Sequence, residues 1–338
     1  LAKVLKFLTV LLLHATVTVA QDTETTPPTA EFLREPIAFR DFRWVGDTLY
    51  LDSRDALYRF RPDDGDAPEQ LRPFFSRRFF KYISPNADMV ISEEYGTDTS
   101  YFIIYRESIE GELISQLNVE SGEAVPVTAY SRDGRMAAVL LPDWQAQHIE
   151  LRLYDLEASA LLWESRINPN EGVLSLLTFS PDGKYLAVYG ETNSLLLWDT
   201  GPGRVIERFT ARDKYDIIRG VSFSPDSQFL YYAESARLVV MQLESTDRHA
   251  RWVQAQVYPA ATDFLHLLLS ADGQRLIGIA YQEGELHVWR VEGASLTPER
   301  FISVENGSWL LRLPVISDDG RFLAAADFEG VIRVWRLQ

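Results

Sequence analysis

There is no cysteine among the 338 residues, so disulfides, thiolate metal sites and cysteine nucleophiles are all excluded. Basic charge is also short, with 33 Lys and Arg against 49 Asp and Glu and a formal charge of −16. Such a chain repels a polyanion at long range, so nucleic acid is not an expected partner. Histidine is scarce, and His148, His249, His266 and His287 show none of the i,i+2 or i,i+4 pairing of a metal site. No G-x-S-x-G elbow, H-E-x-x-H pair or Walker loop occurs. Asp63-Asp64-Gly65-Asp66 lacks the register and distal Glu of a calcium loop and reads as a solvated acidic turn. Glu93 and Glu94, adjacent on a strand, point to opposite faces and make no acid–base pair. The residues therefore indicate no catalytic group, no metal and no cofactor, and a protein that is not an enzyme.

Long apolar runs are absent except at the N-terminus. Lys3 and Lys6 precede an apolar stretch from Phe7 to Val19, and Thr18-Val19-Ala20 offers a small-residue cleavage site. These are the parts of a secretory signal peptide over residues 1–20. The run is short for a bilayer span and is diluted by His14 and three threonines, so membrane contact is expected only if the segment stays uncleaved. Residues 21–30, QDTETTPPTA, have no large apolar side chain and read as a flexible tether. The expected address is exported: periplasmic, cell-envelope or extracellular. The absence of cysteine favours a bacterial envelope over an animal extracellular space.

What the sequence has in abundance is repetition. Ser84, Ser131, Ser180, Ser224, Ser270 and Ser317 each open a turn, at spacings of 47, 49, 44, 46 and 47 residues. After each come an apolar run, a second turn and an alternating run. A degenerate first copy starts at Phe42, with Gly46-Asp47 as its turn. The alternating runs end in turn at Phe60, Tyr105, Tyr154, Trp198, Met241, Trp289 and Trp335. Short runs rich in β-branched and aromatic residues are strands, and Ser-Pro-Asp-Gly is a hairpin turn. Seven copies of about 45 residues, each with three clear strands and a weaker fourth, match the arithmetic of propeller blades.

The copies ending at Trp198-Asp199, Trp289-Arg290 and Trp335-Arg336 resemble WD repeats, of the degenerate type found in exported bacterial proteins, over about residues 31–338. The resemblance implies one all-β domain: a seven-bladed β-propeller with four-stranded antiparallel blades. Gly-His pairs are missing, and Thr192, Glu283 and Glu329 stand where the family often has a turn Asp, so its buried polar network is expected to be absent. The last copy reaches only its third strand. Residues 31–38 are expected to supply the outer one and close the ring, since an unpaired edge is a liability.

The resemblance also implies a binding scaffold, and the expected partner of this monomer is a protein or peptide held on one rim. Two second-to-third connections are long, 93–100 with Tyr95 and 141–148 with Trp144. Exposed aromatics dominate interface energetics, and Arg77, Arg78 and Lys81 form a basic island one loop away. Tyr95, Trp144, Arg77, Arg78 and Lys81 are thus the candidate contacts. The alternatives are an exported propeller enzyme with a central-channel site (a lactone or sugar-ester hydrolase, or a quinone-cofactor dehydrogenase) and a structural envelope component.

Overall fold

The computed structural model describes residues 30–32, 39–53, 56–64, 67–73, 78–96, 101–122, 125–143, 148–168, 173–235, 237–245, 250–260, 262–280, 285–303, 312–326 and 332–337. The serine turns organise it locally. In blade 4 the Ser180 hydroxyl donates to Asp182 at 2.6 Å and accepts the N–H of Tyr185 at 2.9 Å, while Asp182 accepts the N–H of Lys184 at 3.1 Å. The same bonds recur from Ser131, Ser224, Ser270 and Ser317. Each turn is thus a small closed hydrogen-bonded ring that launches the next strand. Its last residue lies in the left-handed region, with glycine at 134, 183, 273 and 320 but Ala87 and Ser227 in the other two copies.

The strands form seven four-stranded antiparallel sheets. In six of them the strands pair in chain order, and the first strands of neighbouring blades pack on one another around the axis. Blade 2 comprises Arg78–Ile83, Met89–Tyr95, Tyr101–Ser108 and Leu113–Glu120. Blade 3 comprises Val127–Tyr130, Met136–Asp143, His148–Asp155 and Ala160–Ile167. Blade 4 comprises Val173–Phe179, Tyr185–Glu191, Ser194–Asp199 and Arg204–Thr210. Alternation along each strand sends one apolar set to each neighbouring blade, so the core is a series of layers between blades. Trp335, fully buried, lies in one such layer with Ile277, Leu286 and Leu323.

In the seventh sheet, Ile332–Arg336 is bordered by Ala30–Phe32, with Ala30 opposite Val334 and Phe32 opposite Ile332. The N-terminal strand therefore closes the ring, beginning one residue inside the segment read as tether; residues 33–38 lie outside the described residues. Further bonds join this blade 7, which also holds Arg312–Ile316 and Phe322–Ala326, to blade 1, which comprises Phe39–Val45, Thr48–Ser53, Ala56–Phe60 and Glu69–Pro73. The N–H of Gly46 donates to Asp318 at 2.7 Å, and Asp63 pairs with Arg321 at 3.3 Å and with Arg336. The acidic turn at Asp63 is thus engaged in ring closure.

The register corrects one expected equivalence. The residue six after each serine faces the position that ends the third strand: Leu186 faces Trp198, Leu230 Met241, Leu276 Trp289 and Leu323 Trp335. In blade 2 that residue is Val90, and it faces Glu107 rather than Tyr105. A carboxylate therefore occupies the place of the tryptophan. Among the described residues the buried indole N–H groups of Trp198 and Trp335 meet no acceptor, and Thr192 closes its own turn by accepting the N–H of Ser194 at 2.8 Å. Glu283 and Glu329 lie outside the described residues.

Candidate functional site

The antiparallel meander places the outer-to-inner and second-to-third connections at one rim. Of the expected contacts, Arg78 and Tyr95 belong to that rim, on blade 2. Arg78 opens the first strand of blade 2 and faces Glu94 at the end of the second. Tyr95 is the last residue of the second strand. The strand runs further than the sequence suggests, so Tyr95 sits on a sheet end rather than in a loop, and it is half-buried. Its ring stacks on Phe102 at 5.8 Å and meets the edge of Phe79 at 5.6 Å, leaving Phe79 as the more exposed aromatic. Trp144 and Arg77 lie outside the described residues.

The chain's acidity explains what Arg78 and Lys81 do. Alternation sends Glu93 towards blade 3, where it is fully buried. It accepts hydrogen bonds from the hydroxyls of Tyr95 at 2.7 Å, Thr128 at 2.5 Å and Tyr130 at 2.5 Å, and Lys81 Nζ stands 3.6 Å away. Burial first, and the carboxylate second, push the Tyr95 and Tyr130 hydroxyls far above the ordinary tyrosine range, so both remain donors. Lys81 reaches this pair from an inner-strand bulge between Phe80 and Tyr82.

On the opposite face, buried Glu107 takes Arg78 at 2.5 Å and Arg72 of blade 1 at 3.3 Å. The Arg78 guanidinium also lies 3.5 Å from the Tyr105 ring centre and 3.7 Å from Glu94. A single carboxylate in the tryptophan slot is thus paired with arginines from two blades. Of the basic island, Arg78 and Lys81 thus turn to Glu107 and Glu93 in two inter-blade charge clusters. The sequence pattern points to neither role: a count of six from Ser84 reaches Val90, and only the cross-strand pairing leads from there to Glu107.

Among the described residues no group of three or more His, Asp or Glu is arranged to hold a metal ion. His287 packs in an aromatic cluster with Phe264, Trp289 and Phe301, at 5.0, 5.7 and 4.7 Å. His266 is desolvated, which lowers its pKa to about 4. Both are strand residues held by packing.

Comparison with known proteins agrees with this architecture. Residues 166–199, the end of blade 3 and most of blade 4, match the family described as WD domain, G-beta repeat. Over 136 residues the chain is 28% identical to the small ribosomal subunit protein RACK1y of Oryza sativa subsp. japonica, and over 124 residues it is 25% identical to MST50-interacting protein 11 of Pyricularia oryzae. The matches span 38% and 36% of this chain and 38% of each relative. A chain of a mitotic checkpoint complex crystal structure superposes with a TM-score of 0.67 at 14% identity, covering 99% of both chains. That last likeness is one of fold.

Proposed function

We propose that this WD-repeat-like propeller is a non-enzymatic scaffold that holds a protein or peptide partner on the rim formed by blades 2 and 3, and that it is exported. The observation that carries the reading is the fate of the buried charges. Among the described residues the buried carboxylates Glu93, Glu107 and Glu234 are each bonded into the wall between or within blades, which supports a ring-building role for them and recognition at the surface. The relatives support the same direction, since one is a ribosomal subunit protein and another is known as an interacting protein. At the rim, Phe79 and Tyr95 present adjoining aromatic surface of the kind that anchors interfaces. Export rests on the N-terminal pattern of Lys3, Lys6 and the apolar run to Val19.

A photo-crosslinking residue at position 79 or 95, compared with one at Glu292, exposed at a third-to-fourth turn on the opposite rim, tests the rim. One specific adduct is expected from positions 79 and 95 alone. Adducts of equal yield from Glu292 would remove the rim from the proposal. Cell fractionation with N-terminal sequencing tests export: a mature chain beginning at Gln21 outside the cytoplasm supports it, and an intact cytoplasmic chain refutes it.

A further inference from the structure

All three exposed aromatic side chains among the described residues, Phe79, Tyr101 and Tyr215, stand at the rim that holds Tyr95. Phe79 follows Arg78 at the start of the first strand of blade 2, and Tyr101 opens the third. Tyr215 lies in the connection from blade 4 to blade 5. Gly96 makes room for Tyr101, since a Cβ there would lie 2.9 Å from its ring.

Cross-strand register sets Phe79 beside Glu93 and Tyr95 beside Phe102, on the face of blade 2 that looks to blade 3. Tyr101, one residue before Phe102, falls on the other face. The end of blade 2 therefore shows aromatic surface on both sides. Its pose is fixed in advance, because Glu93 holds the Tyr95 hydroxyl while Phe79 and Phe102 hold its ring. A partner that covers it loses little to ordering.

The same rim is acidic. The connections that the meander brings to it contain twelve Asp and Glu against five basic residues: Arg34, Arg54, Arg77, Arg212 and Lys214. Past Tyr95, the connections 96–100, 121–126, 144–147, 168–172 and 192–193 contain Asp98, Glu123 and Glu171 and no Lys or Arg. Glu120, exposed at the end of the outer strand of blade 2, adds a carboxylate beside them. Arg78 and Lys81 are turned to Glu107 and Glu93. The connection around Tyr215 is balanced instead, with Arg212 and Lys214 against Asp213 and Asp216, and Lys214 lies 4.6 Å from the Tyr215 ring centre. The opposite rim is acidic too, but Asp133, Asp182, Asp226 and Asp272 accept the serine hydroxyls of their own turns, and no described aromatic side chain is exposed there.

The geometry points to the rim of blades 2 and 3 as a docking site for a basic polypeptide segment that carries arginine side chains. This rests on the rim reading and names the class of partner. A guanidinium lies flat on an aromatic face and still meets carboxylates at its edge, which an ammonium does less well and an aliphatic side chain not at all. The chain makes the same contact internally, with Arg78 3.5 Å from the Tyr105 ring centre and 3.7 Å from Glu94. The formal charge of −16 draws such a segment towards the chain. The exposed aromatics then fix where it settles.

A fluorescein-labelled peptide, acetyl-Gly-Arg-Gly-Arg-Gly-Arg-amide, titrated with the full chain and followed by polarisation, tests the proposal. Saturable binding is expected, with a Gly-Lys peptide of equal charge about fivefold weaker and a Gly-Glu peptide unbound. Phe79→Ala plus Tyr101→Ala should weaken the arginine peptide about tenfold or more. Glu120→Lys should weaken it severalfold, and Glu292→Lys on the opposite rim should leave it unchanged. Glu120 is exposed, so its variant keeps its melting temperature and tests the site even where the aromatic variant loses stability. Equal affinity of the lysine peptide, an equal loss from Glu292→Lys, or unchanged affinity in both rim variants would each overturn the proposal. Crosslinking at positions 79 and 95 decides the rim reading without any peptide. Rim adducts beside a peptide that fails would therefore sink the arginine inference alone.

Discussion

Single residues carry the departures from a regular repeat. Glu107 sits where four other blades have Tyr154, Trp198, Trp289 or Trp335, with Arg72 and Arg78 around it. Removing one partner of a buried ion cluster leaves the others uncompensated, so Glu107→Ala should cost about 3–5 kcal/mol in urea titration. A triple change of Arg72, Arg78 and Glu107 to methionine should recover much of that loss, because it removes every charge together. His266 gives a second handle. Its folded pKa of about 4 lies below the ordinary 6.5 because burial disfavours the charged ring. The unfolded chain therefore binds the extra proton first. Stability should be flat above about pH 6.5, fall as pH drops towards 4, and lose nothing more from this group below that. The difference between the wild type and His266→Gln isolates it, and a difference that does not change with pH would show the ring to be solvated. Neither residue announces itself in a linear reading. Glu107 requires the cross-strand register, and the desolvation of His266 depends on its environment in the folded ring, which no local pattern records.

At the scale of elements, what was legible was local. The serine turns could be read because turn chemistry acts within five residues; the bonds of the serine hydroxyl to the turn carboxylate and the next strand are what the structure adds. The strands were legible for the same reason, since alternation and β-branching are short-range signals. Strand ends were not. The sequence places Tyr95 in a long connection, yet pairing with Phe102 carries the strand to it. That difference turns an exposed anchor into one half-buried against Phe79 and Phe102. The turns also provide a clean substitution. Ala87 holds φ at 53° where four sister turns have glycine. A left-handed alanine is strained by ~1–2 kcal/mol, and glycine returns ~0.5–1 kcal/mol of that as unfolded-state entropy. Ala87→Gly should therefore stabilise the chain by about 0.5–1 kcal/mol in chemical denaturation, whereas destabilisation would mean that the turn is not under strain. Gly220 shows the opposite case. At φ +54 it bulges the inner strand of blade 5, and a Cβ there would lie 2.6 Å from the backbone nitrogen of Leu267, so Gly220→Ala should lower the melting temperature markedly.

For the molecule as a whole, the blade count followed from seven serine-anchored or degenerate copies at nearly constant spacing, and the closing strand from the arithmetic of an incomplete last copy. The charge clusters between blades were invisible because they join residues from separate repeats, Arg72 with Glu107 and Glu93 with Tyr130. The central structural claim is a single ring fastened by residues 30–32 against the last strand. Calorimetry of two truncations tests it most directly. A chain starting at Ala30 should melt in one transition close to that of the full chain. A chain starting at Leu33, lacking the three paired residues that cover Ile332, Arg333 and Val334, should melt well below it, because the last blade is left with an open edge. Identical melting of the two truncations, or two separate transitions in either, would contradict the closed ring.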